Sequence, residues 1–302
     1  MSAVSGRERF ERMRSVLEVP ILNEKFWSKV PAVAADAIMV DLEDSATPAD
    51  KERARERVLA ALEAPAHFGG RHVIVRVNNL DTPWGRDDLA ELAGSPGDFL
   101  VCYPKAQSAA EIAEAMSILN RGTAARGLHV MIETARAVRS LDQIAGADGV
   151  QGLHFGYVDY AADVGSKVFD DDGADLYGPA NHYARSAIAV AAAAHGLFAT
   201  GGSLIPDYRD LAKVERFVRT WADVGYTGCI AVSPAHLQII NARMAPAPED
   251  VRAAREVCDA YQQAVERGEP AAVLNGRAIT LPDYRVASRL VARALPVDAK
   301  GA

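Results

Sequence analysis

The feature that most restricts this chain is a strand-like run that returns eight times, each time leading towards a helix-like stretch. The runs are Ser15 to Pro20, Ala37 to Leu42, His72 to Asn78, Phe99 to Lys105, Leu128 to Thr134, Leu153 to Asp159, Phe198 to Ser203 and Cys229 to Pro234. Several are apolar throughout, which is the pattern of parallel strands covered on both faces. Between them lie alanine-rich, charged segments such as Pro48 to Leu62, Ala109 to Leu119, Ala184 to Ala194 and Tyr208 to Val224. Strand-helix alternation repeated in this way predicts an α/β fold, a (β/α)8 TIM barrel. The seventh run carries the faintest strand signal, because Gly201 and Gly202 bring no side chains to a sheet face. Past the eighth run, a helix from about Glu249 to Arg267, a Gly- and Pro-bearing link and a helix from about Pro282 to Ala294 predict a C-terminal helical extension, a lid or an oligomer arm. The expected division is a barrel domain over 14–245 and the extension over 246–302.

In such barrels the chemistry sits where strands run out into the following loops. The strand ends are therefore a site map: Asp41-Leu42-Glu43-Asp44, Arg76-Val77-Asn78, Pro104-Lys105, Glu133-Thr134, Asp159, Ser203 and Ser233-Pro234. So many acids with an arginine and a lysine at one rim exceed what stability requires. Glu133 and Asp159 each end an apolar run, 26 positions apart, with Ala135 to Ile144 as the helix between. Neighbouring strands would then deliver both carboxylates to one edge. Magnesium takes few protein carboxylates and keeps positions open for water and substrate oxygens. Glu133 and Asp159 are accordingly expected to ligate Mg2+ or Mn2+. Arg76 would face them, holding a carboxylate or stabilising a developing enolate oxygen. Glu43 and Asp44 would hold a water on the cation or relay a proton. The competing readings are plainer: loop capping for Glu133 and Asp159, helix capping ahead of Pro48-Ala49-Asp50-Lys51 for Glu43 and Asp44, and an ion pair for Arg76.

Other chemistries find less support. Lys105 invites a Schiff-base reading, but the acids around it would keep it protonated. His129, His154 and His236 fall in or after strands and read as satisfied structural histidines. The acidic loop with Asp163 and Asp170 to Asp175 lacks the terminal Glu and flanking helices of a calcium-binding hand, so it reads as a solvated turn. Neither a GxSxG nucleophile motif nor a phosphate-binding glycine loop is present. A net charge of −7 without a basic cluster argues against nucleic acid. The polar start MSAVSGRERFERMR and the lack of any run near ~20 apolar residues argue against export and membrane insertion. With Cys102, Cys229 and Cys258 at unpaired spacings, a cytoplasmic setting with reduced thiols is expected.

The rim residues also follow a known order. Arg14-Ser15-Val16-Leu17, Asp41-Leu42-Glu43-Asp44 with Lys51 and Arg55, Arg76-Val77-Asn78, Pro104-Lys105, Ile132-Glu133-Thr134, and Phe155-Gly156 with Asp159 resemble the HpcH/HpaI aldolase and citrate lyase β-subunit family. The similarity runs from about Arg14 to Ala294 and is nearest to the CoA-ester lyases: citryl-, malyl- and citramalyl-CoA lyases and relatives. The resemblance implies a Mg2+-dependent TIM barrel, a homotrimer or homohexamer, that makes or breaks a carbon-carbon bond next to a carbonyl. It implies Glu133 and Asp159 as metal ligands and Arg76 as a substrate contact. The backbone amides after Gly156, those of Tyr157 and Val158, would hold the substrate carboxylate. Lys25 and Lys29, after the first strand, would meet the phosphates of CoA.

Three departures stand against that pattern. The first strand reads Leu17-Glu18-Val19-Pro20-Ile21-Leu22, where the family has an apolar residue and then Val-Pro-Gly or Val-Pro-Ala. The eighth reads Gly228-Cys229 and Val232-Ser233-Pro234, where Gly-Lys and Ile-His-Pro are usual. Thr280 stands where the extension usually carries an aspartate that acts as the acid across a subunit boundary, with Asp283 three positions on. The expected function is a Mg2+-dependent carbon-carbon lyase or aldolase acting on the CoA ester of a 3-hydroxy diacid or a related 2-oxo acid. Its competitors are a CoA-independent aldolase of pyruvate or another 2-oxo acid, and a non-catalytic assembly subunit on the same barrel.

Overall fold

The computed structural model describes residue 10 and residues 13–122 and 124–294. Eight strands close into a barrel in chain order: β1 (Ser15–Pro20), β2 (Ala37–Asp41), β3 (His72–Arg76), β4 (Leu100–Tyr103), β5 (Gly127–Ile132), β6 (Val150–Phe155), β7 (Phe198–Gly202) and β8 (Gly228–Ala231). The seam pairs β1 with β8 in parallel, Ser15 opposite Cys229 and Leu17 opposite Ala231. The interposed helices are α1 (Glu24–Trp27), α2 (Lys51–Glu63), α3 (Gly85–Gly94), α4 (Ala109–Leu119), α5 (Ala135–Arg139), α6 (Leu141–Ala145), α7 (Tyr157–Asp163), α8 (Gly178–His195), α9 (Leu211–Val224) and α10 (Leu237–Met244). This is the (β/α)8 architecture that the alternation predicts.

Strand parity explains both the apolar runs and the charged rim. Inside the barrel, Val16, Met39, Ile74, Cys102, Met131 and Phe198 belong to one buried cluster. The outward residues, among them Leu17, Ile38, Val75, Val101, Val130 and Leu153, join the helices in a larger core. Both faces are dry, so the strands read as continuous hydrophobic runs. Two residues further along β1, β2, β3 and β5, the inward parity reaches Glu18, Asp41, Arg76 and Glu133. Charge therefore caps an apolar interior at one end of the barrel.

The glycines of β7 have a packing reason. A Cβ on Gly201 would meet the Trp221 indole at 2.3 Å. Trp221 lies on α9 with Val214, Phe217 and Val218, a buried stripe at helical spacing, and its Nε1 donates to the Gly202 carbonyl at 2.9 Å. The strand lacks side chains where the indole takes their space.

Two local expectations need correction. The Ala135 to Ile144 segment is two short helices meeting at Ser140, with the Thr134 hydroxyl capping the first by accepting from Ala137 N–H. Asp159 does not end a strand: β6 stops at Phe155, Gly156 turns the chain, and Asp159 sits in the first turn of α7.

The described residues divide after Met244 into two compact units. The second contains α11 (Pro248–Glu266), the antiparallel strands β9 (Ala272–Leu274) and β10 (Arg277–Ile279), and α12 (Leu281–Ala294). The link is thus a hairpin, and its signal was Asn275-Gly276, both at positive φ (53° and 77°), the pair that a tight hairpin turn demands. Asp283 accepts from Thr280 N–H at 2.9 Å and from the Thr280 hydroxyl at 2.7 Å. That carboxylate is engaged in closing the start of α12. Among the described residues, no helix is long and apolar enough to cross a membrane.

Candidate active site

Arg76 is the hub of the rim. Asp41 stands opposite it in the β2–β3 register and grips the guanidinium in bidentate fashion, Nε to Oδ1 at 2.6 Å and Nη2 to Oδ2 at 2.8 Å. Nη2 also donates to Glu18 Oε1 at 2.8 Å. Nη1 is more open, with Glu43 Oε2 at 3.5 Å and Asp44 Oδ2 at 3.9 Å. Burial alone would lower the basicity of Arg76, but Asp41 and the other acids raise it far above the ordinary arginine value. Asp41 is correspondingly held below the usual carboxylate range: burial works against it and is outweighed by Arg76 and the N–H groups of Glu43 and Ser45.

The loop after β2 is anchored from beneath. Buried Lys51, on α2, donates to the Leu42 carbonyl at 2.8 Å and to Asn78 Oδ1 at 2.7 Å, and also reaches the Glu43 carbonyl. Asn78 in turn donates to Asp88 at 2.6 Å, which Arg55 meets at 3.0 Å. Glu43 and Asp44 therefore do not cap the following helix; they project at Arg76. Glu43 is buried and Asp44 is not. Burial raises the Glu43 carboxyl above the ordinary range, against the pull of Arg76 and Lys105.

Glu133 is seated with comparable care. It is buried, and its Oε2 accepts the backbone N–H of Lys105 at 2.8 Å. Lys105 adopts a left-handed conformation at φ 51°, while Asn79 Nδ2 holds the neighbouring Pro104 carbonyl at 3.0 Å. The Lys105 ammonium turns to Glu43 Oε1 at 2.6 Å. Burial lowers the Lys105 pKa, but Glu43 more than compensates, so it stays protonated and has no free amine for a Schiff base. Gly156 makes the remaining room, since a Cβ there would lie 2.3 Å from Glu133 Cγ and Oε1.

This setting fits a divalent cation. Burial, then Glu43 and Asp159, push Glu133 up to about 8. A buried carboxylate crowded by two others is stabilised in its charged form by a cation between them. No group of three or more His, Cys, Asp or Glu side chains forms a metal cage among the described residues. Two carboxylates with open positions suit Mg2+ shared with a ligand better than a closed structural site.

The other expected residues disperse. Tyr157 points its side chain away from the rim, buried beside Phe155, Phe217 and Trp221 with its hydroxyl on the Leu204 carbonyl at 2.6 Å, so only its backbone amide, at the start of α7, is left for the expected substrate contact. Val158 follows it with an exposed side chain. The Gly156 N–H is taken by the Ile132 carbonyl at 3.1 Å. Lys25 and Lys29 are both exposed; Lys29 edges a cavity of about 230 Å3 that Glu18, Val19, Phe26, Val33 and Val232 also line. His129 and His154 share the Thr200 hydroxyl at 2.9 and 3.0 Å inside the barrel. His236 is buried between Ser203 Oγ and the Tyr208 carbonyl. In the acidic turn, Asp171, Asp172 and Asp175 pair with Lys167, Arg216 and Arg185.

Sequence reasoning missed three members of the hub. Asp41 was in the site map without a role, Glu18 was only a departure from a pattern, and Lys51 was not expected to be buried. Strand parity with Arg76 was the signal for the first two.

The sequence model of the HpcH/HpaI aldolase/citrate lyase family matches residues 14–234. The chain belongs to this family. A (3S)-malyl-CoA thioesterase of Cereibacter sphaeroides is 32% identical over 286 residues, covering 95% of this chain and 96% of that protein. An L-malyl-CoA/beta-methylmalyl-CoA lyase of the same species is 29% identical over 293 residues, covering 90% and 92%. Among solved structures, Mycobacterium tuberculosis CitE, in complex with magnesium, acetoacetate and coenzyme A, aligns with a TM-score of 0.73 at 29% identity, over 93% of this chain and 97% of that one. Relatives of this chain are thus enzymes, lyases and thioesterases.

Proposed function

We propose that this protein is a Mg2+-dependent carbon-carbon lyase acting on the CoA thioester of a 3-hydroxy diacid. The observation that carries the reading is Glu133: a buried carboxylate held by the Lys105 N–H, beside Asp159 and facing the Arg76 hub. The malyl-CoA lyase and the CitE complex with magnesium and coenzyme A support the choice of metal and thioester.

Glu133 and Asp159 hold Mg2+, which supplies a Lewis acid that stabilises negative charge on a carbonyl oxygen. Arg76 offers Nη1, its least engaged nitrogen, to the oxygen that gains charge as the carbon-carbon bond breaks. Asp41 keeps the guanidinium in that orientation. Glu43, buried beside Arg76 with Oε1 on Lys105, relays the transferring proton through Oε2, the oxygen that Lys105 does not occupy. The amides of Tyr157 and Val158 have no acceptor within their own helix, and bind the substrate carboxylate. Lys29, at the edge of the β1 cavity, meets the CoA phosphates, with Lys25 on the same segment.

A second reading, hydrolysis of the same thioester, is favoured by the 32% identity to the malyl-CoA thioesterase. Products separate them. With malyl-CoA and Mg2+, the lyase yields acetyl-CoA and glyoxylate, whereas the thioesterase yields free CoA and malate. Turnover of free 4-hydroxy-2-oxo acids with no affinity for CoA would overturn both in favour of a CoA-independent aldolase. If Glu133→Gln leaves Mg2+ affinity and all turnover unchanged, the barrel is a non-catalytic subunit.

A further inference from the structure

We propose that Glu18 is a specificity-determining residue that makes this site accept an acid whose distal carbonyl is capped, as in a thioester, and reject the free diacid. The proposal rests on the reading of Glu133 and Asp159 as the seat of a cation that binds the proximal carboxylate.

Glu18 lies near the end of β1, on the inward parity, and its Oε1 takes Nη2 of Arg76 at 2.8 Å. Asp41 already neutralises the guanidinium through Nε and Nη2, so a second buried anchor is not needed to satisfy the arginine. The Glu18 side chain keeps 27% of its exposure and forms part of the wall of the β1 cavity, otherwise lined mainly by apolar side chains such as Val19, Phe26 and Val232. It therefore stands between the arginine and the space through which the distal end of a substrate extends.

The charge balance decides what that end can be. Arg76 is surrounded by Glu18, Asp41, Glu43 and Asp44; of the lysines around them, Lys105 is engaged by Glu43, Lys51 by the Leu42 carbonyl and Asn78, and Lys29 sits exposed at the edge of the β1 cavity. With its proximal carboxylate and hydroxyl on the cation, a free diacid would bring its second carboxylate to Arg76. It would find Nη2 occupied and a like charge beside it, a juxtaposition that disfavours binding. A thioester carbonyl carries no charge and needs only one donor, which Nη1 supplies. Glu18 acts as a built-in carboxylate, occupying the place that a diacid would claim.

The test compares L-malate with the same acid capped at its distal carboxylate as a methyl ester, by calorimetry with Mg2+, in the wild type and in Glu18→Gln and Glu18→Asp. The wild type should prefer the ester by at least about tenfold. Glu18→Gln keeps an oxygen for Nη2 but loses the charge, and should bring the ratio within about threefold of unity. Glu18→Asp, which keeps the charge, should retain the preference. A preference unchanged in Glu18→Gln, or no preference in the wild type, overturns the role of Glu18 while leaving the metal reading intact. Failure of both ligands to bind the wild type in a Mg2+-dependent way overturns the metal reading and this one with it.

Discussion

The backbone N–H of Lys105 donates to Oε2 of Glu133 at 2.8 Å, from a residue held at φ 51°. The strand end is thus bent into a conformation that disfavours side chains so that an amide reaches the buried carboxylate. Lys105→Gly and Lys105→Ala both lose the ammonium contact with Glu43, yet only glycine adopts this φ without strain. Urea unfolding should find the glycine variant more stable by about 1 kcal/mol, the reverse of the usual order. If alanine is the more stable, the left-handed geometry is not what seats Glu133.

Gly156 is the other wall of that seat. In Gly156→Ala the new Cβ falls 2.3 Å from Glu133 Cγ and Oε1, so the carboxylate must move. Mg2+ affinity measured by calorimetry should drop by at least about tenfold, with a lower melting temperature. Unaltered Mg2+ binding would place the cation away from Glu133.

Cation and proton compete for Glu133. Its folded pKa of about 8 exceeds the ordinary glutamate value of 4.5, so the metal-free fold holds a proton more tightly than the unfolded chain. Metal-free stability should therefore fall as pH rises between those values. The rise in melting temperature on adding Mg2+ should be larger near pH 8 than near pH 6, and Glu133→Gln should lose this difference. A Mg2+ effect independent of pH in the wild type would contradict the assignment.

Asp41 and Arg76 form a buried bidentate pair, and the same carboxylate receives the amides of Glu43 and Ser45. Removing its charge in Asp41→Asn leaves the guanidinium dependent on Glu18 and on the longer contacts. A destabilisation of about 3 kcal/mol is expected in chemical denaturation. A loss below about 1 kcal/mol would mean that Glu18 and Glu43 hold Arg76 unaided.

The two histidines inside the barrel set an acid limit on the fold. Burial pushes His129 down to about 4 and His154 well below its usual value, the latter also through His129 and Arg76. Both stay neutral in the fold and titrate normally once unfolded. Their contribution is complete above the ordinary histidine range and is lost as pH falls from about 6.5 towards 4. His129→Gln, which still offers Thr200 a partner, should reduce the stability lost between about pH 7 and pH 5 by on the order of 2 kcal/mol. An unchanged pH slope in urea unfolding would show that His129 does not carry it.

Much of the site was open to reading along the chain, because a barrel delivers strand-end residues to one rim. Glu43, Arg76, Lys105 and Glu133 could be picked out from position alone. Asp159 was found for a partly mistaken reason: it reaches the rim from a helix turn after Gly156, and periodicity does not reveal where a strand yields to a helix within a few residues. The Tyr157 side chain, apolar on one side and hydroxylated on the other, belongs to the outer core because Phe217 and Trp221 come from a helix sixty residues away in sequence.

The sequence by itself determined the architecture: eight apolar runs alternating with helices bury both faces of every strand, and leave no open edge, by closing a parallel barrel. It also determined that acids and one arginine share a rim. Only the tertiary structure decided how those charges are apportioned. Glu18 and Asp41 are separated from Arg76 by 58 and 35 positions, and which carboxylate takes which guanidinium nitrogen depends on strand register and on distances of a few tenths of an ångström. Electrostatic interaction in a dry barrel mouth varies steeply over such distances, so that assignment belongs to the fold.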